Sequence, residues 1–108
     1  MIIKKCYTDY VRHIIRFYSR YLGKTHFRNN IERANWYACH TALESYSDRD
    51  KDILVYVYGA PDTLGDNVYI MANKYRINQN IIWDMMREFE LNVAIERGLW
   101  YGNQYEVD

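Results

Sequence analysis

SDRDKDILVYVY, residues 47 to 58, decides the fold. Its second half, ILVYVY, has the β-branched and aromatic composition of a strand. Its first half argues for a helix. Ser47 is an N-cap residue, Asp50 stands at the N3 position of a capping box, and Asp48 lies near the positive helix end. Ile53, Leu54, Val57 and Tyr58 would then form the buried side of a helix over 48–58. Gly59, Ala60 and Pro61 stop it, because proline has no N–H to continue the ladder.

The same periodicity extends outward in both directions. Upstream, Val11, Ile14, Ile15, Tyr18, Tyr21 and Leu22 predict one apolar stripe on a helix over 8–22, with Gly23 as its stop. Arg12, Arg16 and Arg20 recur every four residues on another face. A second helix over 30–46 is predicted with Asn30 as N-cap and Ile31, Ala34, Ala38, Thr41, Ala42 and Tyr46 on its inner face, widened by Trp36, Tyr37 and Leu43. Downstream, Asp66 or Asn67 caps a short helix over 67–75 carrying Val68, Met71, Ala72 and Tyr75. Arg76, Ile77 and Asn78 form a corner. A long helix over 79–96 follows, with Ile82, Met85, Met86, Phe89 and Val93 turned inward and Gly98 closing it. The expectation is an all-α, compact five-helix domain over residues 1–108, without a sheet.

Composition agrees with a single globular domain: 49% of the 108 residues are apolar and 26% charged. Twelve tyrosines predict an aromatic core whose hydroxyls reach water. Cys6 and Cys39 have no pairing pattern, and the charged N-terminus lacks a signal peptide's apolar run, so a cytoplasmic protein with reduced thiols is expected. No apolar run is long enough for a membrane span. The formal net charge is zero. It is unevenly spread: residues 1–40 hold eight Lys or Arg against Asp9 and Glu32, and the remainder is acidic.

No catalytic constellation is legible. His13, His26 and His40 are scattered, and neither cysteine lies near one of them. The acidic pairs Asp48 with Asp52 and Asp84 with Glu88 read as solvated helix faces. Zinc-type spacing and a glycine-rich phosphate loop are both missing. An enzyme, a cofactor and a metal site are therefore not expected.

The unit at 67–96 has the form of a helix-turn-helix. Ala72 would sit at the close approach of its two helices, Ile77 would plug the corner, and Ile82 would anchor the second helix. With the preceding segment (Ser47, Asp48, Arg49, Asp50, Ile53, Leu54 and Tyr58), it resembles the C-terminal promoter-reading domain of bacterial sigma factors and small sigma-like regulators of phages or mobile elements. The match covers about residues 46–95 and departs from that pattern where Arg76 stands at the usual corner glycine. The resemblance implies that helix 79–96 enters a major groove. Gln79, Asn80, Trp83 and Arg87 would then meet base edges, and Asn73 and Lys74 would touch phosphate.

Arg12, Arg16, Arg20 and Arg28 are expected to add phosphate contacts from outside the matched region. The acids of the last helix, Asp84, Glu88, Glu90 and Glu96, count against that use, because they repel the DNA backbone. Two readings follow. One is a DNA-binding transcriptional regulator whose partner is double-stranded DNA. The other is a protein-binding module or inhibitor, with the helix-turn-helix as scaffold and an acidic protein surface as partner. Either allows a homodimer.

Overall fold

The computed structural model describes residues 8–23 and 26–99. Five helices account for most of them: α1 (Thr8–Arg20), α2 (Asn30–Leu43), α3 (Asp48–Gly59), α4 (Leu64–Tyr75) and α5 (Gln79–Glu96). No strand occurs among the described residues, so ILVYVY is helical. The cap decides it: Ser47 Oγ accepts from the Asp50 N–H at 3.2 Å, satisfying a donor that the first turn leaves free. Ile53, Leu54 and Val57 are fully buried, and Tyr58 nearly so.

Helix α1 is the hub. It packs against α2, α3 and α5, while α3 and α5 each pack against α4, and α2 against α5. Val11, Ile14, Ile15 and Tyr18 carry this contact. Tyr21 and Leu22, expected on the same stripe, are instead about half exposed, because α1 ends at Arg20 and the chain turns away.

The inner face of α2 is rotated from the expected one. Ile31 is 62% exposed, and Ala34 and Thr41 also face out, while Asn35, Trp36, Cys39, Ala42 and Leu43 are buried. Large side chains set the rotation. Trp36 stacks edge-on with Tyr18 at 5.1 Å and donates its indole N–H to Tyr21 O at 3.0 Å. The cap is Asn29 rather than Asn30, its side chain accepting from the Glu32 N–H at 2.8 Å. The helix stops at Leu43, short of the expected 46. Tight turns from Glu44 N–H to Thr41 O and from Tyr46 N–H to Leu43 O lead into the Ser47 cap.

Helix α4 begins at Leu64, three residues earlier than expected, because Thr63 caps it through the Asp66 N–H. The earlier start places Asn67 on the inner face, where it is fully buried. Its amide donates to Val57 O at 2.9 Å and lies 3.3 Å from both Ala60 O and Asp62 O. Val57 O is the carbonyl whose i+4 donor would be Pro61, which has none. Asn67 supplies it.

At the corner between α4 and α5, Arg76 has φ 55° and ψ 48°, the left-handed conformation that glycine adopts without strain. The Ile77 N–H reaches back to Ala72 O at 3.0 Å, closing the turn. Arg76 is exposed. Replacing it with Gly should therefore raise stability by up to about 1 kcal/mol, the relief of a left-handed L-residue less the added freedom of the unfolded chain. A higher urea midpoint at unchanged m would show it.

Cys39 is fully buried, and burial pushes its thiol pKa up to about 12. Cys6 lies outside the described residues.

Candidate nucleic-acid interface

The corner and the two helices it joins bring the residues expected at a DNA surface into view. Ala72 and Ile82 are buried as expected, and Ile77 is half-buried against the same core. Asn78 caps α5, its side chain accepting from the Asn80 N–H at 2.7 Å. The first turn of α5 projects into solvent, leaving Gln79 and Asn80 exposed. Asn73 is exposed on α4. Trp83 is not an outward residue: it is half-buried and packs on the core.

Many of the expected cations are held by neighbouring acids. Arg12 donates through Nε to Glu90 Oε2 at 2.8 Å. Glu90 is 5% exposed and also accepts from the Tyr58 hydroxyl at 2.6 Å. Burial works against the charge on Arg12, yet the hydrogen bond and charge of Glu90 outweigh it and raise the guanidinium's pKa. Burial, then the charge of Glu90, pushes the Tyr58 hydroxyl well up. Arg12 thus joins α1 to α5 and α3.

Lys74 Nζ lies 2.8 Å from Asp52 Oδ2, which also accepts from the Tyr75 hydroxyl at 2.5 Å. These two bonds, Lys74 first, hold the Asp52 carboxyl below its ordinary pKa. Arg87 pairs with Asp84 on α5. Arg28 is 84% exposed but bonds the nearly buried carboxylate of Glu32 at 3.0 Å.

The remaining arginines differ. Arg16 is exposed on α1. Arg20 donates its Nε to Gly59 O at 3.0 Å and has no acid paired with it among the described residues. Arg33 and Arg76 are exposed. Sequence reasoning passed over Arg33 and Arg76 as contacts. Their signal was weak: a solvent-facing arginine on α2 and a left-handed corner arginine have no sequence motif.

Polar ties also fix α2. Asn35 Oδ1 accepts from Arg97 Nε at 2.5 Å, and Asn35 Nδ2 lies 3.2 Å from the Tyr10 hydroxyl. His40 Nδ1 is 2.9 Å from the Tyr18 hydroxyl, and its ring stacks on Trp36 with centroids 4.8 Å apart. Among the described residues, no group of three or more His, Cys, Asp or Glu side chains is placed to hold a metal ion. No described helix is long and apolar enough to cross a membrane.

Comparison with known proteins returned no match to a family model, to a curated protein or to a solved structure.

Proposed function

We propose that this chain is a small DNA-binding transcriptional regulator in which the first turn of α5 reads the major groove. The observation that carries this reading is the exposed pair Gln79 and Asn80, set beyond a three-residue corner on a helix whose other side is anchored by buried Ile82. Amide side chains at that place suit adenine edges. Phosphate contacts fall to Arg16, Arg20, Arg76 and Asn73. Arg12, Lys74 and Arg87 are neutralised by Glu90, Asp52 and Asp84 and add little.

The three arginines assigned to phosphate, Arg16, Arg20 and Arg76, predict a slope of log K against log[salt] of about −3 on a pool of random duplexes. Arg16→Ala should reduce that slope by about one unit without changing sequence preference. Gln79→Ala should change preference instead. A flat salt dependence, or no binding at low salt, overturns the reading.

A second reading, protein binding, is favoured by one observation. Helix α4 exposes Asp66 with the large apolar groups Tyr69 and Ile70, and α5 exposes Ile81 with Asp84 and Glu88. Such a surface repels phosphate and offers apolar area to a protein. Failure of duplex binding would leave this reading standing.

A further inference from the structure

His13, Arg16, Phe17, Arg20 and Tyr21 fall at i, i+3, i+4, i+7 and i+8, so they share one outer stripe that runs along α1 and just past its end. All but the half-buried Phe17 are exposed, and Tyr21 is 52% exposed. On α2, Arg33, Tyr37 and His40 form a matching exposed stripe, with Tyr37 51% exposed. Rings join the two stripes. Phe17 and Tyr21 are 4.9 Å apart, Trp36 bonds Tyr21 O, and Tyr37 stands edge-on to Trp36 at 5.0 Å. Between the helices a groove of about 260 Å³, beside the ring stripes, is lined by Tyr10, His13, Phe17 and Ile31 and by the bonded pair Arg28 and Glu32.

Positive charge dominates this face: Arg16, Arg20 and Arg33 are exposed, Arg12 is bonded by Glu90 and Arg28 by Glu32, and the exposed acids Asp9 and Glu44 stand at the ends of the two stripes. Rings alternating with cations fit a chain that alternates flat bases with phosphates. A peptide of acids alone would use the cations and leave the rings idle.

We infer that the outer face of α1 and α2 binds single-stranded nucleic acid, stacking unpaired bases on Tyr21 and Tyr37 while Arg16, Arg20 and Arg33 meet the phosphates. This does not rest on α5 reading duplex DNA: the two readings share Arg16 and Arg20, but the tyrosines belong to this face alone and are tested on a single-stranded probe.

The test is fluorescence anisotropy of the whole chain with labelled 15-mers: oligo-dT, oligo-rU, and an abasic deoxyribose-phosphate strand of equal charge. At least one base-bearing strand should bind ten- to a hundredfold more tightly than the abasic strand, and whichever binds better names the source, DNA or RNA. Tyr37→Ala should weaken that binding by about tenfold, and Tyr37→Phe, which keeps the ring, should restore it. The abasic strand should be indifferent to both substitutions. Tyr21→Ala is a second, independent variant, since both tyrosines are half exposed and their loss spares the core. Equal binding of the abasic strand would overturn the inference, as would displacement of the base-bearing strand by poly-glutamate at equal charge, or wild-type affinity in both alanine variants.

Discussion

Asn67→Asp should cost about 3–5 kcal/mol, the range for an uncompensated buried charge, although the side chain barely changes shape. The Asn67 amide is fully buried among Val57 O, Ala60 O and Asp62 O. A carboxylate there would replace a donor by an acceptor facing three other acceptors. It would also strand the carbonyl that Pro61 cannot serve, since a buried polar group without a partner costs roughly 1–3 kcal/mol alone. Asn67→Ala, which strands the carbonyl without adding charge, should show only that smaller loss.

The two variants should part with pH. In the folded state the new carboxyl would be held neutral by burial and by the carbonyls, so its pKa is raised above the unfolded value near about 4. The excess penalty of Asn67→Asp is thus absent in acid and grows as pH rises above about 4. Urea midpoints at pH 4 and pH 7 measure it. Equal midpoints at both values would mean that the site relaxes to admit water.

Arg12→Ala should destabilise the fold by about 2–4 kcal/mol, and more than Arg16→Ala does. Removing the guanidinium leaves Glu90, which is nearly buried, with the Tyr58 hydroxyl as its remaining partner among the described residues. Breaking a buried pair on one side typically costs about 3–5 kcal/mol. The Arg12 side chain is 36% exposed, so water partly screens the site and lowers that cost to about 2–4 kcal/mol. Removing the whole polar set should restore much of the loss: the triple variant Arg12→Met, Tyr58→Phe, Glu90→Leu replaces it by apolar groups of similar volume. Thermal melts of the single and triple variants give the comparison. A triple variant weaker than Arg12→Ala would show that the bonds to Glu90 are worth more than their desolvation costs.

Arg12 also shows where sequence reasoning reached its limit. As one of three arginines spaced by four, it reads like Arg16 and Arg20, and nothing local distinguishes them. Glu90 lies 78 positions away, and only the packing of α1 on α5 turns Arg12 into an internal partner. Lys74 and Asp52 repeat the lesson across α3 and α4. Trp83 repeats it for an apolar residue, since its neighbours Ile82 and Asp84 point to opposite environments and the ring settles between them.

The sequence by itself determined the number, order and type of the helices. Those depend on interactions within a few residues: the Ser47 cap, the Pro61 stop, the spacing of Ile82, Met85, Met86, Phe89 and Val93, and the left-handed Gly98 that closes α5 with φ 72°. Only the tertiary structure decided which face α2 buries, which acid each arginine meets and which rings reach solvent. Those outcomes depend on which helices become neighbours. A local pattern fixes the direction of a side chain on its own helix but carries no record of the charge or ring that another helix brings against it.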